Sequence, residues 1–271
     1  MRRVLSQSSP DVFSYSIGRG PNLVLLHGWG MNGGIFDVWS SLLSDSFKVI
    51  VVDLPGHGRS GPFDGDQIEE LASLVVSELP AQFHLLGWSL GGLIGMSISR
   101  DFPDRVLSLG LVASTPCFFT NHGWPGIDLD MLHKLSHDLS TDASATLERF
   151  AGLQNLGLAD SRRWTKSMVE MIHRSPFPNS ETLKVLLLML GTLDFREEFS
   201  ALADGTYLIQ GKKDRLVPFE VIPLLKDLNS LVEVDVIPDA GHVPFLTHPE
   251  RCACYVKRML LSKPGGVLAV E

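Results

Sequence analysis

The stretch that most constrains the fold is Gly87-Trp88-Ser89-Leu90-Gly91-Gly92. An apolar run at residues 83–86 leads into it, and a small-residue segment at 93–99 with helical spacing leads out. Strand, G-x-S-x-G and helix in that order make a nucleophile elbow, a turn so tight that the neighbours of its serine must be small. Gly87 and Gly91 supply that room, and Gly92 lets the helix lie close against the sheet. Such a turn lifts a hydroxyl clear of the backbone and aims the first amides of the helix at incoming negative charge. The bland alternative is a glycine-rich turn that happens to contain serine. Placed between a buried strand and a helix, the pattern instead makes Ser89 the candidate nucleophile.

The same alternation runs through much of the chain. Continuous apolar runs at 23–26, 49–52 and 106–112 read as strands buried on both faces, with helical spacing at 35–43 and 67–79 and an edge strand around 12–17. The rhythm stops near Cys117: residues 123–190 read as about four helices, broken at Gly157, Pro176 and Pro178, with no β-run among them. It returns with a strand at 206–209, a helix at 219–228, a strand at 232–237 and a helix at 249–261, before a tail at 263–271 expected to fray. Strands alternating with helices predict an α/β fold whose mostly parallel central sheet is flanked by helices on both faces. Residues 1–116 and 191–271 would form that core, and 117–190 an inserted helical lid.

Composition removes several classes of function. A chain of 271 residues with 44% hydrophobic and 20% charged residues can bury one large core with an insertion, and is neither disordered nor a coiled coil. A net charge of -8 argues against nucleic acid, whose phosphates need a basic surface. Cys117, Cys252 and Cys254 are too few and too unevenly spaced for a disulfide framework or a zinc site. No apolar run follows Arg2 and Arg3, so no secretory signal is visible, and the apolar segment 183–190 is too short to span a bilayer. These features predict a soluble cytoplasmic protein without a membrane partner, and a monomer is the expectation.

Serine at its free pKa is a poor nucleophile, so a base must take its proton and a carboxylate must orient that base. Where an elbow carries the serine, the acid and then the histidine follow it in the chain, on loops after later strands. Asp214, in Gly211-Lys212-Lys213-Asp214 just past the strand at 206–209, is the candidate acid. His242, in Asp239-Ala240-Gly241-His242 just past the strand at 232–237, is the candidate base. Either alone would pass for a solvated loop residue; both lie at the carboxyl edge of the sheet, where open α/β sheets place their sites. Competitors fail on position. Asp53 precedes the serine and its loop reads as structural, Asp239 is too close in sequence to His242 to orient it, and His27 and His57 are expected to hold loops by hydrogen bonding. His133 and His137 share a helix face at i, i+4, yet no Glu adjoins His133 as H-E-x-x-H requires, so no metal is expected. The developing oxyanion needs donors, expected to be the backbone amides of Leu90, directly after the nucleophile, and Trp29, in His27-Gly28-Trp29-Gly30. The Trp29 indole would border the acyl pocket; an ordinary packing role for it is compatible with that.

Taken together, Leu26-His27-Gly28-Trp29-Gly30, Asp53-Leu54-Pro55-Gly56-His57-Gly58-Arg59-Ser60, the elbow, Asp214 and Gly241-His242 resemble the α/β-hydrolase fold. Those motifs alone also suit general short-chain carboxylesterases, C–C bond hydrolases, peptidases and lactonases. A non-catalytic receptor of the same fold is a further alternative, disfavoured by the intact triad. Narrower features are the elbow extended to Leu93, Ser114-Thr115-Pro116-Cys117-Phe118, Trp124-Pro125-Gly126-Ile127, Glu148-Arg149-Phe150 and Leu153-Gln154. These resemble the pimeloyl-[acyl-carrier protein] methyl ester esterases of biotin synthesis, over residues 23–260 with the lid included.

The resemblance implies a serine carboxylesterase that frees methanol from the methyl ester of a pimeloyl chain on acyl carrier protein, with no cofactor. Substrate contacts would come from Trp29, Ser89, Leu90 and His242 and from the family's pocket segment, which maps onto Phe150, Ala151, Gly152, Leu153 and Gln154. The carrier is acidic, so a chain at -8 needs a local basic face. Residues 149–174 hold five basic residues against two acidic ones, and Arg162 and Lys166 are i, i+4 neighbours on one helix face. Arg149, Arg162 and Lys166 match basic positions the family uses for docking, and Arg163 lies beside them. Ala145 stands where the family has another basic residue, which weakens the patch. An ordinary solvated helix is the alternative reading of these charges.

Overall fold

The structure, a computed structural model, describes residues 4–5 and 12–261; the sequence expectations for residues 1–3 and 263–271 lie outside them. Eight strands form one sheet: β1 (Val4–Leu5), β2 (Phe13–Ile17), β3 (Asn22–Leu26), β4 (Lys48–Asp53), β5 (Phe83–Trp88), β6 (Val106–Val112), β7 (Tyr207–Gly211) and β8 (Glu233–Ile237). Their order is β1-β2-β4-β3-β5-β6-β7-β8. The β1–β2 and β2–β4 pairs are antiparallel and every later pair is parallel. From Leu23 to Leu26 no side chain reaches solvent, because helices cover both faces of β3.

Each parallel strand is followed by helical crossovers, so the strands from β3 onward end at the same edge. The core helices are α1 (Asp37–Leu43), α2 (Ile68–Ser77), α3 (Leu90–Asp101), α8 (Arg196–Ser200), α9 (Val221–Leu228), α10 (Pro244–Thr247) and α11 (Pro249–Leu261). Helix α1 packs on α11, and α2 on α3. The chain steps from β3 to β4 on one side and then returns to place β5 on the other. That reversal opens a crevice beyond the end of β3, the position at which open α/β sheets bind ligands.

Between β6 and α8 come four helices, α4 (Leu129–Thr141), α5 (Ala143–Gln154), α6 (Ser161–His173) and α7 (Ser180–Thr192). They sit on the loops after β3 and β4: the Asn32 amide donates to Met171 O at 3.3 Å, and Asn179 N donates to Gly56 O at 2.8 Å. Two of their breaks fall at Gly157, with φ 82°, and around Pro176 and Pro178, where the sequence places them. The third falls at Asp142, whose carboxylate accepts from Ala145 N at 2.9 Å and caps α5.

Boundaries differ where local bonding overrides periodicity. The strand expected at 83–86 continues to Trp88, and its helix begins at Leu90 rather than 93, because the elbow reverses the chain within one residue. The helix expected over 35–43 opens with a 3₁₀ turn, Gly33–Phe36, that the Asn32 side chain caps. The short α8 and α10 have too few residues to show a period.

Candidate active site

Ser89 takes φ 53° and ψ −120°, a conformation that side chains rarely adopt. Its neighbours make that possible: a Cβ on Gly87 would strike the Gly91 carbonyl, and one on Gly91 would strike Leu26 O. The Ser89 backbone is fixed on both sides, its N–H donating to Val112 O at 2.9 Å and its carbonyl accepting from Ser114 Oγ at 2.9 Å. The hydroxyl is thereby held at the N-terminal end of α3.

The three residues singled out from sequence meet there. Ser89 Oγ lies 2.9 Å from His242 Nε2, and His242 Nδ1 lies 2.8 Å from Asp214 Oδ2. A carboxylate only accepts, so Nδ1 carries the proton and Nε2 is free to receive the one on the serine. The other Asp214 oxygen accepts from the amides of Leu216 and Val217 at 2.8 and 3.0 Å. Ser89, Asp214 and His242 are all buried, which strengthens each of these polar contacts.

His242 is held from three sides. Its N–H donates to Gln154 O at 3.4 Å, at the end of α5, and its carbonyl accepts from the Trp88 indole at 2.8 Å. Directly after it, α10 inserts Phe245, which stacks on Trp39 at 5.0 Å and meets the Trp88 ring edge-on at 5.4 Å. Packing of the elbow, α1 and α10 therefore sets where the imidazole stands.

The loop after β3 passes over the nucleophile: a Cβ on Gly28 would come 3.2 Å from Ser89 Cβ. The next amide, that of Trp29, and the amide of Leu90 have no hydrogen-bond acceptor among the described residues. The Trp29 side chain is committed to the inserted helices, donating to Leu183 O at 2.8 Å and meeting Phe150 edge-on at 4.9 Å. The segment 150–154 thus reaches the site from both ends, through Phe150 at Trp29 and Gln154 at His242.

His27 and His57 hold loops, as their positions suggest. His27 Nε2 accepts from Leu54 N at 2.9 Å, and His57 Nε2 accepts from Gly30 N at 3.1 Å, so each imidazole clamps the other's loop. Burial lowers the pKa of His27, and burial and then the neighbouring His27 push His57 down to about 3; each ring accepts an N–H at Nε2, as only a neutral imidazole can. Burial alone would raise Asp53, but hydrogen bonds from Arg59 hold it below the ordinary carboxylate range. It accepts from Gly33 N at 2.7 Å and from Arg59 Nε at 2.8 Å, a structural role.

The remaining sequence candidates separate. Arg162 and Lys166 line one groove beside α6, whereas Arg149 is turned to Asp138 at 3.2 Å and Arg163 lies over the Trp164 ring. Asp239 is exposed and pairs with Lys213 at 3.4 Å. His133 and His137 are exposed on α4, and among the described residues no three His, Cys, Asp or Glu are grouped to hold a metal. Two supporting residues escaped the sequence reading. Gln210 donates to Asp214 Oδ2 at 3.3 Å and to Val217 O at 2.8 Å, and Ser114 braces the elbow. A polar residue in a buried strand was the available signal for Gln210.

Comparison with known proteins bears on the fold and the family. Residues 21–249 match the family described as alpha/beta hydrolase fold. The pimeloyl-[acyl-carrier protein] methyl ester esterase of Klebsiella pneumoniae subsp. pneumoniae is 38% identical over 240 residues, 88% of this chain and 93% of that protein. The protein of the same name from Pectobacterium carotovorum subsp. carotovorum is 40% identical over 231 residues, 84% of this chain and 90% of the relative. An esterase from Exiguobacterium antarcticum shares the fold, with a TM-score of 0.82 at 23% identity over 92% of this chain and 95% of that one. The chain belongs to the alpha/beta hydrolase fold family, within which pimeloyl-[acyl-carrier protein] methyl ester esterases are its relatives over most of its length.

Proposed function

We propose that this protein is a serine carboxylesterase that hydrolyses the methyl ester of pimeloyl-[acyl-carrier protein] in biotin synthesis. The observation that carries the chemistry is the unbroken line from Ser89 Oγ through His242 to Asp214, with links of 2.9 and 2.8 Å. The relatives' name supplies the substrate.

Ser89 Oγ attacks the ester carbonyl as His242 Nε2 takes its proton, and Asp214 stabilises the imidazolium that forms. The oxyanion is received by the amides of Trp29 and Leu90, a pair of donors of the kind whose single loss costs about 3–4 kcal/mol of barrier. His242 returns the proton to the departing methoxide, so methanol leaves an acyl-serine. Water, deprotonated by the same imidazole, then attacks that acyl group; the acyl–Oγ bond breaks, His242 returns the proton to Ser89 Oγ, and the pimeloyl carboxylate is freed. The acyl chain would lie against Trp29 and the segment Phe150, Ala151, Gly152, Leu153 and Gln154. Helices α4–α7 would act as the lid of a single catalytic core. The carrier would dock on Arg162 and Lys166, with Arg149 and Arg163 at its margin. None of these steps uses a cofactor or metal. Among the described residues no helix is long and apolar enough to cross a membrane. A cytoplasmic monomer fits this role.

The test is methanol release from methyl pimeloyl-carrier protein by the purified enzyme. Wild type should turn over, and Ser89→Ala should lose roughly 10⁴-fold or more in kcat. Cleavage of short aryl esters without cleavage of the carrier-linked ester would overturn the proposal in favour of a general carboxylesterase.

A further inference from the structure

Two grooves, one of them lined by Asp214 of the triad, share one residue. The first, about 350 Å³, runs beside α6 and includes Arg162, Lys166 and Val169. The second, about 520 Å³, lies along the turn that carries Asp214 and includes Lys212, Lys213, Arg215 and Phe219. Leu156, exposed at 55%, forms a wall of each. It stands two residues past Gln154, whose carbonyl holds His242.

Charge distinguishes this seam from the rest of the molecule. The chain carries -8 overall, yet five cations gather here. Arg162, Lys166, Lys212 and Arg215 make no ion pair among the described residues, and Lys213 makes one long contact to Asp239 at 3.4 Å. Of the carboxylates lining the two grooves, Asp214 is buried against His242, which leaves Glu220. Unpaired cations held together repel one another, and a partner of opposite sign relieves that repulsion while steering its own approach. The Lys212 ammonium lies 5.7 Å from the Phe219 ring centroid, so this wall offers apolar area as well as charge, as Leu156 does opposite.

We propose that the Lys212–Lys213–Arg215 turn is the second half of a docking surface for the acidic carrier protein, joined through Leu156 to Arg162 and Lys166. This rests on the carrier-linked substrate proposed above. The carrier then spans the seam between the inserted helices and the core, and its acyl group is delivered beside His242. Docking across the seam also fixes α5 and α6 relative to the acid turn while the ester is bound.

The experiment measures steady-state hydrolysis of methyl pimeloyl-carrier protein and of p-nitrophenyl butyrate at low and physiological salt. It is paired with calorimetric binding of the carrier protein to Ser89→Ala enzyme. Lys212→Glu with Arg215→Glu should raise KM for the carrier substrate roughly tenfold or more and flatten its salt dependence. The same variant should leave kcat, and turnover of the aryl ester, within about twofold. Lys212→Arg with Arg215→Lys should keep the wild-type KM. An unchanged KM and salt response, or an equal loss on both substrates, would overturn the proposal, the latter by showing that the turn acts on Asp214. If wild type does not cleave the carrier substrate, the proposed function fails; weaker carrier binding by the charge-reversed Ser89→Ala enzyme then still decides the docking surface.

Discussion

At Ser89 the positive φ is the cost of presenting the hydroxyl, and strain of this kind amounts to about 1–3 kcal/mol in a residue with a side chain. The surroundings impose it: β5, α3 and the Val112 and Ser114 contacts leave the backbone no other course. Glycine relieves such strain and alanine does not. Ser89→Gly and Ser89→Ala should therefore both be inactive, while the glycine variant is the more stable of the two by about 1 kcal/mol in urea denaturation. Equal stabilities would mean that the elbow stores no strain. Elsewhere single residues act through what they hold. Gln210 keeps the Asp214 carboxylate and the Val217 carbonyl together, and Trp29 joins the loop after β3 to α5 and α7.

Elements, rather than the loops alone, place the base. His242 follows β8 but owes its position to α10, which Phe245 anchors between Trp39 of α1 and Trp88 of β5. Removing that ring leaves a cavity between Trp39 and Trp88, and buried Phe→Ala changes cost about 3–5 kcal/mol. Phe245→Ala should lower the thermal midpoint and also reduce kcat more than KM rises, because the Ser89–His242 distance is no longer fixed. A stability loss with unchanged kcat would show that the Trp88 and Gln154 contacts suffice. Periodicity in the sequence locates α2, α9 and α11 well, since each turns one apolar stripe to the core. It locates the break between α4 and α5 poorly. That break depends on one carboxylate, Asp142, reaching back to an amide, and an aspartate between two helical segments is no different in sequence from one on a solvated face.

For the molecule as a whole, the buried His27 and His57 make stability depend on pH. His57 has an ordinary value of 6.5 when unfolded and about 3 when folded, and His27 is lowered in the same direction. Between those two limits the unfolded chain binds more protons, so acid favours unfolding; above 6.5 neither state is protonated and the dependence ends. His57 alone should remove about 1.4 kcal/mol per pH unit as pH falls through that window. Asp53, held below its ordinary 3.8, adds a loss of the same sign at still lower pH. Urea midpoints measured from pH 8 downward should be flat at first and then fall. No fall between about pH 6 and 4 would show that His57 is not held neutral.

The alternation of strands and helices, the elbow and the chain order of Ser89, Asp214 and His242 are legible in the residue pattern, because burial periodicity and tight turns are properties of a few neighbouring residues. What brings those three within hydrogen-bond reach, and what surrounds them, follows from how distant segments pack. The aromatic seat of α10, the crossed histidine clamp and the meeting of two basic grooves at Leu156 each join segments 27 residues apart or more. Local pattern carries no record of such contacts; they exist once the parallel sheet has brought the loops to one edge.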